Sequence, residues 1–374
     1  NARFDDYMNI IVQRLALLSV LLLPITLLSG CATPLPSTFK YTSNTTKQLD
    51  VPFFAQTDLN CGPAALASVL NYYGHEADIN TLRDQVFSKN AKGSLAIEVG
   101  AAPRRYGFVS YPLPHRFDAL IAEIDAAHPV LVLQNLGLEW FPQWHYSTVA
   151  GYDPVTDEVL LHSGDIAYYR IAASTFIRTW ARADYWARVI VPPAQTPASA
   201  TPLDLLEAIN ALEQTGHPNE AVQAYQSAAN KFPDNATTQL ATASALLNTG
   251  QPNQSYPYFF NAIRLAPRNA ATWNNFAYAL DKSDCEISAQ RAIEIARALA
   301  PADANILASA KPGALQAIHD AFGGDWGRAW RADLTKYIPR DRDTEGKLVI
   351  PDCTKLQKQI NPDKEWAEIT DRGI

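Results

Sequence analysis

The sequence predicts two kinds of structure in one chain: an α+β domain, with helices first and an antiparallel sheet after them, and then an all-α repeat domain. Three observations carry that expectation. Between residues 48 and 193, helix-periodic stretches come first and β-branched, aromatic stretches follow, which is an α+β order. A run rich in Pro, Ala, Thr and Ser then breaks the pattern as a linker over 194–201. Beyond it, Gly216, Gly250 and Asp284 stand 34 residues apart, as do Ala228, Ala262 and Ala296, and Pro233, Pro267 and Pro301. Tyr225, Phe259 and Ile293 keep the same register. A generic helical bundle has no reason to hold such a period.

The 374 residues leave room for two or three domains, and 47% hydrophobic with 18% charged residues describe an ordered globular chain. A net charge of −7 without a basic stripe argues against a nucleic-acid partner. Met8, the single methionine, is the expected start, with residues 1–7 as upstream read-through. Arg14 leads into an apolar run from Leu15 to Leu28, of signal-peptide length and short for a membrane span. The run ends Leu28-Ser29-Gly30-Cys31, which resembles the lipobox of bacterial lipoproteins, with Cys31 as the lipidated residue. An ordinary secretory signal or a membrane anchor is the alternative. Ala32 follows where a retention aspartate would stand, so the resemblance implies the periplasmic face of the bacterial outer membrane, held by acyl chains. Residues 1–30 are then the signal peptide. Their loss leaves the charge at −7, because Arg3 and Arg14 offset Asp5 and Asp6. Residues 31–47, rich in Pro, Ser and Thr, read as a flexible tether.

The α+β domain is expected over 48–193. Val51 to Ala55 is extended and leads into Gln56. Leu66, Val69, Leu70 and Tyr73 then recur as the buried stripe of an amphipathic helix. Asn60 is placed to cap it, Pro63 is tolerated in its first turn, and Gly74 can end it. Cys61 therefore falls where unpaired backbone N–H groups and the positive end of the helix dipole attract a thiolate. It is a candidate nucleophile; the alternative is a small core residue. Further helices are expected over 78–89, 94–105, 117–127 and 174–181. Strands are expected over 108–111, 129–134, 144–153, 158–162, 167–171 and 185–191. The 34-residue period is the tetratricopeptide signature of paired antiparallel helices, in three repeats at 202–235, 236–269 and 270–303. Residues 304–374 are a tail with no chemistry assigned, in which 314–322 and 326–337 read as helical.

A cysteine nucleophile needs a base, a group to orient that base, and donors for the oxyanion. Of the seven histidines, His75, His115 and His217 lie in turn-like stretches, His128 in a loop and His319 in the tail. His145 opens a strand in the Cys61 domain and is the candidate base.

Gln56-x4-Cys61-Gly62-Pro63-Ala64-Ala65-Leu66-Ala67, followed by His145-Tyr146 and then Val149-Ala150-Gly151-Tyr152-Asp153, resembles the double-glycine leader peptidases over residues 48–193. These are papain-like cysteine peptidases that trim bacteriocin precursors. The resemblance implies Cys61 as nucleophile, His145 as its base and Gln56 as an oxyanion-hole donor beside the Cys61 N–H. It also implies hydrolysis of peptide bonds after small residues such as Gly-Gly. Two departures stand out. The family's orienting aspartate falls where this chain has Ser163; Asp165, two residues on, would share its face if the strand continues, and is the expected third member, with Ser163 the alternative. His162 alternates away and is not expected in the site. Many members are also fused to a transporter, whereas no G-x4-GK[ST] sequence and no second apolar span occur in this chain.

No cofactor and no metal are expected, since no Cys/His spacing suits zinc. Cys285 and Cys353 either pair in an oxidising compartment or remain separate thiols. The expected partners are a peptide or protein substrate, a protein on the repeats, and a membrane through the lipid anchor. Two rival readings are a non-catalytic scaffold and a thiol amidase or acyltransferase.

Overall fold

The computed structural model describes residues 41–309 other than 42, 57–59, 89–92 and 284. The expected signal peptide, Cys31, most of the tether, His319, Cys353 and the helices expected in the tail lie outside the described residues.

The first domain runs β1 (Lys47–Gln48), α1 (Cys61–Tyr72), α2 (Ile79–Val86), β2 (Phe87–Ser88), β3 (Gly93–Ser94) and α3 (Ala96–Ala101). It continues through β4 (Val109–Pro112), α4 (Phe117–Asp125), β5 (Val130–Asn135), β6 (Trp144–Asp153), β7 (Glu158–Ser163), β8 (Ile166–Ala172), α5 (Ala173–Ala181) and β9 (Ala187–Val191). All strands but β2 and β3 join one seven-stranded sheet of order β4-β9-β5-β6-β7-β8, with β1 on β6. Every pairing is antiparallel. The α+β class is as expected. The helix expected over 94–105 is instead α3 followed by a tighter 3-10 turn over Ala102–Tyr106. Pro103, which has no amide to continue an α-helical ladder, stands at that junction.

The helix α1 lies on the sheet through Leu66, Val69 and Leu70, in one core with Leu131, Tyr146 and Ile190. Burying such side chains stabilises by about 1.5–3 kcal/mol each. A polar pin fixes its height: Thr148 Oγ1 on β6 donates to the Ala65 carbonyl at 3.0 Å. Gly74 closes the helix with φ +78°. Asn60 stands at the N-cap but makes no side-chain cap bond. Its ψ of 11° departs from the extended backbone usual for a capping residue.

The second domain is a tetratricopeptide stack: α6 (Pro202–Glu213), α7 (Pro218–Lys231), α8 (Ala236–Asn248), α9 (Pro252–Leu265), α10 (Ala270–Asp281), α11 (Glu286–Leu299) and α12 (Ala304–Ser309). The first helices of each pair begin at 202, 236 and 270, and α12 begins in phase with them at 304. Thr201, Asn235 and Asn269 cap them by accepting from the amides of Asp204, Thr238 and Thr272. Ala228, Ala262 and Ala296 are fully buried at the helix contacts.

The segment expected as a linker is held on both sides. Ala198 N–H and Ser199 N–H donate to the buried Glu123 carboxylate on α4, at 3.0 and 2.7 Å. Lys231 Nζ on α7 donates to the Pro197 and Ala198 carbonyls, and Ser227 Oγ to the Pro193 carbonyl. Composition alone reads as a loose spacer; these bonds make it a strap.

Candidate active site

Cys61 is the first residue of α1, a half-buried free thiol. Gly62 follows it because a side chain has no room there: a Cβ would lie 2.9 Å from Ser94 Cβ and Oγ and 3.4 Å from the Tyr146 ring. Tyr146 is buried and donates from its hydroxyl to the Ser94 carbonyl at 3.1 Å. Burial, and then the electrostatic influence of the nearby Cys61, push that phenol up from its ordinary range. The two residues are therefore electrostatic neighbours.

His145 is the second residue of β6, opposite Gln134 on β5. Its Nε2 lies 2.9 Å from Ser163 Oγ, at the end of β7. Burial lowers its pKa, so the imidazole stays neutral to more acid pH than a solvated one.

The expectation for Asp165 required β7 to continue. It does not: β7 ends at Ser163, Gly164 turns with φ +62°, and Asp165 is exposed in that turn. The side chain that meets the imidazole is Ser163.

Gln56 is fastened to the same turn by two bonds. Its N–H donates to the Gly164 carbonyl at 2.9 Å, and its Oε1 accepts the Gly164 N–H at 3.1 Å. With the amide oxygen engaged, the NH2 is the half that can donate elsewhere.

The expected residues thus fall into two groups. His145, Ser163 and Gln56 are knit around Gly164, while Cys61 joins them through Tyr146, the chain neighbour of His145. Among the described residues, no hydrogen bond links the Cys61 thiol to His145. Catalytic hydrogen bonds are often long before substrate binds.

His162 lies apart, as expected. It is buried, its Nδ1 accepts the Tyr168 N–H at 3.2 Å, and its Nε2 donates to the Val51 carbonyl at 2.8 Å. His128 is not the plain loop residue expected: it is buried with Nδ1 2.7 Å from Glu123 Oε2. Sequence reasoning named Tyr146 only as part of the motif and missed Thr148, whose only signal was a long apolar strand after His145. The surface cleft beside Tyr72, Tyr73, His128 and Gln195 borders the C-terminal end of α1, not the Cys61 end. Among the described residues no three His, Cys, Asp or Glu could hold a metal ion, and no helix is long and apolar enough to cross a membrane.

A helix-borne cysteine beside an antiparallel sheet carrying a histidine is the architecture of the papain-like cysteine peptidases. Residues 48–187 match the Peptidase_C39 like family. Among solved structures it is similar to a C39-like peptidase from Bacillus anthracis, with 17% identity, 39% of this chain and 97% of that one covered, and a TM-score of 0.34. It is also similar to a double glycine motif protease from an AMS/PCAT transporter in complex with the leader peptide, with 20% identity, 39% and 94% covered, and a TM-score of 0.31. The Arabidopsis OM64 TPR domain is similar with 20% identity, 29% and 89% covered, and a TM-score of 0.28. A search of curated proteins finds no match.

Proposed function

We propose that the protein is a cysteine peptidase that hydrolyses peptide bonds through Cys61 and His145. The observation that carries this reading is the His145–Ser163 bond at 2.9 Å beside the Gln56–Gly164 clamp. It is a histidine held at Nε2, with an amide donor fastened to the adjoining turn. His145 takes the Cys61 proton, and the thiolate attacks the scissile carbonyl. The resulting oxyanion meets the Cys61 N–H, which has no intrahelical partner at a helix start, and the Gln56 NH2. His145 then returns the proton to the leaving amine, and water hydrolyses the acyl-enzyme. Ser163 is a positioning residue in this scheme, in the place given to Asp165 on sequence alone. A neutral third member is compatible with such chemistry, as the asparagine of papain-like enzymes illustrates.

The rest of the reading rests on sequence. The tetratricopeptide stack captures a peptide or protein partner, and a lipid on Cys31 holds the protein at the periplasmic face of the outer membrane. Cleavage after small residues such as Gly-Gly follows from family likeness alone.

A second reading, a non-catalytic peptidase fold serving as a scaffold, is favoured by the missing Cys61–His145 hydrogen bond and by the neutral Ser163. One experiment separates the two. The purified protein is treated with a thiol-directed peptidase probe and a peptide library, alongside Cys61→Ala and His145→Ala. Labelling and cleavage that vanish in both variants support the peptidase. A Cys61 that labels no faster than a free thiol, with no peptide cut, leaves the scaffold.

A further inference from the structure

The hairpin between β5 and β6, residues 136–143, is cross-braced by hydrogen bonds and yet presents apolar side chains to solvent. Asn135 Oδ1 accepts the Gly137 N–H at 3.0 Å and the Gln143 N–H at 2.9 Å, closing the loop from inside. Leu138 and Phe141 exchange both backbone hydrogen bonds at 3.1 Å, and Leu136 N–H donates to the Gln143 carbonyl at 2.9 Å. The guanidinium of Arg182, the C-cap of α5, donates twice to the Asn135 carbonyl. What this frame displays is Leu136 at 47% exposure, Leu138 at 54%, Trp140 at 81% and Phe141 at 64%, with Trp144 at 56% where β6 begins. Scattered exposed apolar residues are normal, but four on one braced hairpin mark a surface built for contact.

Its position and charge narrow the occupant. Trp144 is the residue before His145 in β6, so the exposed apolar stretch of chain ends next to the candidate base. On the other side of Ser163, Ile166 is half exposed as well. Residues 136–144 contain no Lys or Arg and carry Glu139 at the tip, in a chain of net charge −7. An anionic bilayer surface attracts basic loops, so this charge disfavours a membrane as partner. The geometry points to the hairpin as a recognition arm for an apolar segment of the polypeptide substrate, gripped beside the scissile bond by Trp140, Phe141 and Trp144. This deepens the peptidase reading and rests on it for the word substrate.

The test measures binding without cutting. The full chain carrying Cys61→Ala is titrated against two fluorescein-labelled peptides of equal length and charge, one with an apolar aromatic segment and one with serines in its place. Fluorescence anisotropy gives both affinities. The arm predicts tighter binding of the apolar peptide. Adding Trp140→Ser and Phe141→Ser should raise its Kd about tenfold or more, as aromatic anchors at interfaces do. The Kd of the serine peptide should not move, and Trp140→Leu with Phe141→Leu should restore most of the affinity. Both positions are exposed, so thermal unfolding of each variant should match its parent. Equal affinity of the parent for the two peptides, or a Kd unmoved by the serine substitutions, overturns the proposal. So does sedimentation with phosphatidylglycerol vesicles that is lost in the serine variant while peptide affinity stays unchanged; the hairpin then meets lipid. Failure of the peptidase reading would appear elsewhere, as an inert Cys61 in the parent protein.

Discussion

The two halves of this molecule solve the folding problem by different means. In the repeat stack each helix contacts its neighbours in sequence, and the same device recurs every 34 residues: a side-chain cap at 201, 235 and 269, and a buried alanine at 228, 262 and 296. In the peptidase domain the decisive contacts are non-local. Gln56 meets Gly164 at a separation of 108 residues, and Thr148 meets Ala65 at 83. Redundant local contacts let a stack absorb damage, whereas a site assembled from distant segments fails when one tie is cut.

That contrast can be broken or sharpened by substitution. The largest effect should come from His145→Ala, which is expected to lower kcat about 10³–10⁴-fold in a peptide cleavage assay while leaving thermal unfolding of the stack in place. Glu123→Ala should destabilise by about 3 kcal/mol, because it strips a fully buried carboxylate from His128, Ala198 and Ser199. Urea denaturation measures that loss, and faster proteolysis of the strap should accompany it. Gly62→Ala should cost about 2 kcal/mol through the Ser94 overlap, whereas Gly250→Ala, at φ +75° with open space around it, should cost about 1 kcal/mol through backbone strain alone. Equal losses at the two glycines would erase the distinction between crowded and strained. Ser163→Ala should reduce kcat/KM about tenfold and Asp165→Ala by less than twofold, in line with a hydrogen bond present in one case and absent in the other.

The pH dependence separates the halves more gently. Burial lowers the pKa of His145 and His162 in the folded state, so unfolding takes up protons there. Stability from these two groups is complete above the unfolded value of about 6.5 and falls as pH drops below it toward their folded values. Glu123 acts lower down. Its burial pushes the carboxyl up, but the bonds from His128, Ser199 and Ala198 outweigh this and hold it below the usual range. Its contribution is present above about pH 4.3 and is lost as pH falls through its folded pKa. Denaturant midpoints measured from pH 7 down to 2 should decline in those two stages, the second missing in Glu123→Gln.

The same contrast explains what could be read without coordinates. The repeats were legible because their period, caps and buried alanines are all local signals. In the C39-like domain the helix stripe and most of the strands were legible too. The third member was not. Whether Ser163 or Asp165 faces the imidazole depends on where β7 stops, and strand ends are decided by turn geometry that alternation cannot locate. The strap was misread for a related reason: its Pro-, Ala- and Thr-rich composition resembles a spacer, and the carboxylate that binds it lies some 75 residues earlier in the chain.

That strap has a consequence for how the two halves would act together. A floppy spacer lets a captured chain wander, so the local concentration of its scissile bond near the thiol falls as the spacer lengthens. A spacer bolted to Glu123 and Lys231 fixes the span instead. A polypeptide held on the repeats would then reach Cys61 only if its own reach matched that span, and the molecule would select by length as a ruler does.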